Sequence, residues 1–406
     1  MSRKKLAIIS SYKEDCGNAS YTEALRREFA RYYDVDIFPL QLDLLQSNRK
    51  RLIELGNRHI QDICRKLEAY DFVNIQFEAG LYGNNRKLIF ERVKKLIHAG
   101  SNVIVTMHRV DVPKSYFDRE TVNMLLNRHF VKSLKQFRRE NYFAHIYLQV
   151  ADEVKKKNRR GRANIIVHSK RDAKNIRLIF RVPFVYDFPL SFLNRQERER
   201  ERRKEQADAF KKKYGLEQDD IAIGIFGFVT AYKGHETAVH ALKYLPENYK
   251  LLVFGSQHPS SIVMNCPVDR FEEQLLDMID QLKLDGRVLF CGNLDDRQFI
   301  DALYCCDFSV LPYLEVNQSG SGIASLAIET GIPSLFSNNK AFAELQKYFP
   351  DCFGRFDIGN YVELANKILN YQDIYSENRK KALEKYNIEN NIRLYRKVFE
   401  GRAAKV

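Results

Sequence analysis

No apolar run in this chain of 406 residues approaches the roughly 20 residues needed to cross a bilayer, so no segment reads as a spanning helix. The seven cysteines are odd in number and show no CxxC spacing, which argues against a disulfide framework or a zinc site and fits a reducing cytoplasm. Internal repeats and low-complexity linkers are missing, and so is the GxxxxGK[ST] pattern of a P-loop. Met1–Lys5 gives the N-terminus a basic flank, but the apolar segment after it is short and lacks a small-residue cleavage site. Leu6–Ser10 therefore reads as a first β-strand and not as a signal peptide. What remains is an ordinary globular composition, 45% hydrophobic and 29% charged. At roughly 100–200 residues per domain, the length suffices for two domains with separate cores.

The charge is unevenly divided. Residues 1–190 hold 37 Lys+Arg against 21 Asp+Glu, net +16, which leaves 29 against 31 for the rest, net −2, out of totals of 66 and 52. Fifteen basic and four acidic residues lie between Lys132 and Arg181. Such runs are commonly a solvated face, yet a bias confined to one half suits an anionic surface or partner.

Strand and helix patterns alternate along the first half. Strands are expected at Leu6–Ser10, Val35–Leu40, Phe72–Phe77, Asn102–Met107, Ile146–Val150 and Ile165–His168, with helices at Tyr21–Tyr32 and Arg86–His98. A charged connector follows, read as a helix between Pro189 and Leu216. The alternation then restarts with strands at Ile221–Phe228, Leu251–Gly255, Val288–Cys291 and Phe308–Leu311 and helices at His235–Tyr244, Phe271–Leu282 and Gln298–Tyr304. Helical segments at Tyr361–Leu369, Glu377–Tyr386 and Ile388–Phe399 close the chain. This order predicts an α/β protein of two Rossmann-like, doubly wound domains with a cleft between them, in which ligands bind beyond the carboxyl ends of parallel strands.

Leu311–Pro333, LPYLEVNQSGSGIASLAIETGIP, runs from a strand through a glycine-rich loop into a helix that Gly331 and Pro333 end. Unpaired amides and the helix dipole at such a start suit a phosphate or diphosphate. An ordinary strand-to-helix turn capped by Ser321 is the plainer alternative. Upstream, a strand ends at Gly227-Phe228 and a loop carries Lys233-Gly234 into a helix, so Lys233 is either a phosphate ligand or an exposed lysine before a helix. His108 stands at the end of an expected central strand, where it is a ligand-facing residue or a hydrogen-bonded rim histidine, and Glu78 has a similar double reading. Asp34-Val35-Asp36 has the DxD spelling of a metal motif but lies at the start of an early strand, so no metal is expected.

Taken in order, FGFVTAYKGHETAVHAL, LLVFGS, VLFCGNLDD, DFSVLPY and QSGSGIASLAIETGIP resemble the GT4-like glycosyltransferases of GT-B fold. SSYKEDCGNASYTEAL, YDFVNIQFEAGLYG and VIVTMH are similar to that family's first loop, its QHEFG-type strand and its TxH strand. The likeness covers nearly the whole chain. It implies a retaining, metal-independent hexosyltransferase that moves sugar from a nucleotide diphosphate, UDP- or GDP-linked, with no further cofactor. It also implies donor binding mainly by residues 190–386 and acceptor binding by residues 1–189, which the C-terminal helix at 387–406 joins. Carried over from the family pattern, Lys233 contacts the diphosphate together with Ser321 and Gly322, with Ser319 and Gly320 from an extra Ser-Gly. His108 lines the sugar pocket, and His108 and Lys233 form the catalytic pair. Gly17, Asn18 and Gly227 stand near the donor. The family's E-x7-E glutamates would fall at Gln318 and Leu326, with Glu329 one helical turn beyond and offered here as the substitute.

The acceptor expected from the basic first half is a saccharide or lipid-linked saccharide at an anionic membrane, in surface polysaccharide or glycolipid assembly. The enzyme would then sit on the cytoplasmic face as a peripheral protein. A sugar-nucleotide epimerase or hydrolase of the same fold is the rival. A nucleic-acid module is the reading from another class, but no recognised motif supports a nucleic-acid partner.

Overall fold

The computed structural model describes residues 3–13, 17–113, 130–159, 162–200, 204–256, 270–315 and 320–401. The chain divides into two compact units, residues 1–190 with 388–406 and residues 191–387.

The first unit is built on a parallel six-stranded sheet: β1 (Lys5–Ser10), β2 (Asp34–Pro39), β3 (Phe72–Phe77), β4 (Asn102–Met107), β5 (Ala163–Val167) and β6 (Val185–Asp187). The strand order is β2-β1-β3-β4-β5-β6. β1, β3 and β4 are nearly continuous apolar runs because helices cover both faces. Asn74, Gln76 and Thr106 interrupt those runs and are fully buried. Helix Ile388–Phe399 belongs to this unit, burying Ile388, Ile392, Tyr395, Val398 and Phe399 along one stripe. At about 1.5–3 kcal/mol per buried apolar side chain, that stripe is ample to hold the chain's last helix in place.

The second unit repeats the plan with β7 (Ile221–Phe226), β8 (Tyr249–Phe254), β9 (Val288–Gly292), β10 (Phe308–Leu311), β11 (Ser334–Ser337) and β12 (Gly354–Phe356). Their order is β12-β11-β10-β7-β8-β9, again parallel. In both sheets the order reverses beside the first strand of the unit, which puts the loops after β1, β7 and β10 at switch points.

Two sequence expectations are corrected. Ile146–Val150 is not a strand but part of helix Phe130–Asn158. Ala144, Tyr147, Val150, Ala151 and Val154 are buried at spacings of three and four, and that helical period overrides the short apolar run. The charged connector is two short helices, Arg195–Arg198 and Lys204–Lys213, the first closed by a capping box between Asn194 and Glu197. β6, β11, β12 and helices Lys50–Lys66, Lys170–Leu178 and Lys340–Gln346 had no counterpart in the sequence reading. Three of them are only three or four residues long and carry little period of their own. No helix among the described residues is long and apolar enough to cross a membrane.

Candidate functional site

In the second unit, Lys233 sits in a one-turn 3₁₀ segment after β7, with only 6% of its surface exposed. Its Nζ donates to Tyr313 Oη and lies 4.1 Å from the centroid of that ring and 5.4 Å from that of Tyr232. Burial pulls its pKa down to about 7, and no carboxylate pairs with it among the described residues. His235, fully buried two residues on, is pulled down to about 4 by burial and then by the charge of Lys233. It stays neutral beside Lys233.

Glycines let the backbone close around that lysine. Gly227 has φ +99°, and a Cβ there would stand 3.3 Å from Lys233 Nζ and 2.9 Å from Ile323 Cδ1. Gly227 and Lys233 are thus brought beside the start of helix Gly322–Thr330. At Gly234, φ +70°, a Cβ would meet the Pro312 carbonyl oxygen at 1.9 Å, so the loops after β7 and β10 touch backbone to backbone. Leu314 N bonds Tyr232 O at 2.8 Å and fastens the same two loops.

Ser321 caps the helix, its hydroxyl accepting from Ala324 N at 3.3 Å, while Ser325 N bonds the Ser321 carbonyl. The amides of Gly322 and Ile323 have no acceptor among the described residues, and Gly320 precedes them at intermediate exposure. Ser319 lies outside the described residues. The arrangement offers an anion an ammonium, the first amides of the helix and the positive end of its dipole.

Glu329, expected to substitute for the missing glutamate, is engaged by backbone amides. It is 3% exposed, and its carboxylate accepts from Phe192 N at 3.1 and 3.0 Å and from Leu193 N at 3.2 Å. Its charge anchors the segment that opens the unit. Tyr313, which accepts the hydrogen bond from Lys233, and Gly234 were not singled out as site residues. The tyrosine two places after β10 was the available signal.

In the first unit, His108 follows β4, and its Nε2 is 2.7 Å from Gln76 Oε1. Burial pulls His108 down to about 4. His168, which follows β5, is pulled to about 3 by burial and by His108, opposed by its bond to the Phe188 carbonyl. The two rings are 5.0 Å apart, with Tyr21 edge-on to both at 5.7 and 5.2 Å. Both imidazoles are neutral at pH 7 and pack without repulsion. Asn18 donates to Glu78 Oε2 at 2.8 Å, and Gly17, opening helix Gly17–Phe29, has open space where a Cβ would stand. His168 and the buried amides of β3 went unnoticed in the sequence, although polar residues inside apolar strands were a visible signal.

Asp36 of the DxD spelling accepts from Tyr70 Oη at 2.6 Å. No group of three His, Cys, Asp or Glu side chains that could hold a metal occurs among the described residues.

No protein-family model and no curated protein sequence matches this chain. Solved structures do match over nearly its full length. HepE from Anabaena, in complex with UDP and glucose, aligns with a TM-score of 0.67 at 14% identity, covering 98% of this chain and 100% of that one. Sucrose-phosphate synthase from Thermosynechococcus elongatus aligns at 0.67 and 16%, with the same coverage. WaaG, a glycosyltransferase involved in lipopolysaccharide biosynthesis, aligns at 0.61 and 12%, also over 98% and 100%. The chain therefore has the GT-B fold, two Rossmann-like domains each built on a parallel six-stranded sheet.

Proposed function

We propose that this protein is a glycosyltransferase that moves a sugar from a nucleotide diphosphate, UDP- or GDP-linked, to a saccharide or lipid-linked saccharide, with retention at the anomeric carbon. One observation carries the reading: a buried lysine with no carboxylate partner among the described residues, beside the first amides of a glycine-led helix. An isolated ammonium is costly to bury, and a bound diphosphate would supply the missing counter-charge. HepE, a structure of the same fold, was solved with UDP and glucose and also with UDP-glucose, which supports the donor class.

In this mechanism the bond from the anomeric carbon to the diphosphate breaks as negative charge grows on the leaving oxygen. Lys233 and the amides of Gly322 and Ile323 stabilise that charge with groups already in position. The second unit binds the donor and the first unit, with His108, the sugar and acceptor. The test is UDP release from UDP-glucose, and GDP release from GDP-mannose, with and without saccharide acceptors in excess EDTA. Release that depends on an acceptor and survives chelation is the expected result. Release without an acceptor makes the protein a hydrolase, and no cleavage of either donor sinks the reading. Activity lost to EDTA and restored by Mg²⁺ or Mn²⁺ would remove Lys233 as the principal stabiliser.

The basic first unit supports a peripheral position on the cytoplasmic leaflet, where the acceptor would be found. Lys156 and Arg159 are exposed and Lys155 partly so, while Leu178 and Ile179, 66% and 48% exposed, stand near Lys174 and Arg181. Lys157 does not belong to this surface. Its Nζ donates to the carbonyls of Ile97, His98 and Gly100, closing the C-terminal end of helix Arg86–Ala99. At about 1 kcal/mol per cation, changing Lys155, Lys156 and Arg159 to Gln should weaken co-sedimentation with anionic vesicles by about 10²-fold. Wild-type protein that ignores such vesicles at low salt would end the membrane proposal and leave the donor site untouched.

A further inference from the structure

We propose that Gln76, itself held by Asn74, fixes His108 as the Nε2–H tautomer and leaves Nδ1 as a hydrogen-bond acceptor, so that the ligand group meeting this histidine is a donor such as a hydroxyl.

The order of donors and acceptors is set at the Ile104 carbonyl oxygen, which can only accept. Asn74 turns its NH₂ to that oxygen at 3.2 Å, and the same NH₂ reaches Thr106 Oγ1 at 2.9 Å. Its Oδ1 is then committed to Gln76 and accepts from Gln76 Nε2. Gln76 Oε1 is left facing His108 Nε2 at 2.7 Å, and an amide oxygen cannot donate, so the proton of this bond comes from histidine. A neutral imidazole has one ring proton. With it on Nε2, Nδ1 holds a lone pair, and it has no partner among the described residues.

Water cannot undo this order, because Asn74 and Gln76 are both fully buried. Turning Gln76 over would set oxygen against oxygen at Asn74. The network continues to the last helix, where Tyr395 Oη lies 2.7 Å from Thr106 Oγ1 and Asn391 donates to Tyr21 Oη at 2.8 Å. Helix Ile388–Phe399 thus closes the network that orients His108. His168 obeys the opposite rule. Its Nδ1 is 3.1 Å from the Phe188 carbonyl oxygen, so the proton lies on Nδ1. Neighbouring histidines therefore hold opposite tautomers, and each serves as the control for the other.

The nature of the ligand group rests on the glycosyltransferase reading; the tautomer does not. Long-range ¹H–¹⁵N spectra of protein with ¹⁵N-labelled histidine at pH 7, assigned through His108→Gln and His168→Gln, read the tautomer directly. Wild type should show His108 as Nε2–H and His168 as Nδ1–H. In Gln76→Met, or in Asn74→Leu should the first not fold, His108 should lose its single-tautomer signature while His168 keeps its own. A wild-type His108 protonated at Nδ1, or variants with an unaltered His108, overturns the assignment. For the positioning role, kcat with UDP-glucose should fall about tenfold in a folded variant that has lost the tautomer. An unchanged kcat there overturns that role, whereas absence of cleavage by wild type counts against the glycosyltransferase reading alone.

Discussion

Replacing Lys233 with alanine should lower turnover of the nucleotide-sugar donor by about 10²-fold or more, because the ammonium acts where charge appears in the transition state. The same residue should cost the native state stability. Burial holds its pKa at about 7 against an ordinary 10.5, so protonation is disfavoured in the folded protein. Below pH 7 the penalty is fully present. Between about 7 and 10.5 the unfolded chain binds a proton that the native state does not, so stability rises with pH, and above 10.5 the penalty is gone. Lys233→Met should therefore be inactive yet melt higher than wild type at pH 6, with the gap closing as the pH rises to 10. Thermal melts across that range, beside donor-cleavage rates, check both halves. A Met variant as active as wild type would mean that the ammonium meets no leaving group. One that melts lower at pH 6 would mean that the Tyr313 and Tyr232 contacts outweigh the cost of burial.

Gly234→Ala should destabilise the protein by on the order of 4 kcal/mol or more, a size reserved for a named steric conflict. Two effects combine there: a left-handed φ of +70°, and a Cβ that would lie 1.9 Å from the Pro312 carbonyl oxygen. The neighbouring atom is backbone, so relief requires moving the loop that carries Tyr313. Gly359 provides the comparison, since it has φ +75° with nothing within 4 Å of a Cβ. Gly359→Ala should cost only the left-handed penalty of about 1–2 kcal/mol. Urea midpoints of the two variants read the difference. Equal midpoints would show that the loops after β7 and β10 separate freely, and the site would lose its rigid frame.

Much of this architecture could be read from local pattern. Phe72–Phe77, Asn102–Met107 and Phe308–Leu311 are strands with the limits expected of them, because each is an apolar run bounded by polar or turn residues. The helix start at Gly322 announced itself through Ser321, and its end through Gly331 at φ +76°. Ile146–Val150 failed as a strand because a five-residue window shows hydrophobicity but not period. The period became visible only when Ala144, Ala151 and Val154 were included.

What the sequence determined by itself was the order of strands and helices, the glycine loop, the Lys-Gly turn and the uneven charge, all properties of neighbours along the chain. Tertiary structure decided which of those residues have partners. Glu329 and Lys157 look in sequence like a free carboxylate and a free cation, yet backbone groups from 137 and about 60 residues away engage them. Lys233 looks like a surface lysine, yet Tyr313, 80 residues on, shares its burial. The proton on His108 depends on Gln76, 32 residues upstream, and on the network that the last helix closes. Burial and hydrogen-bond partnership are set by distance in space, and a parallel sheet brings together at its strand ends residues that the sequence keeps far apart.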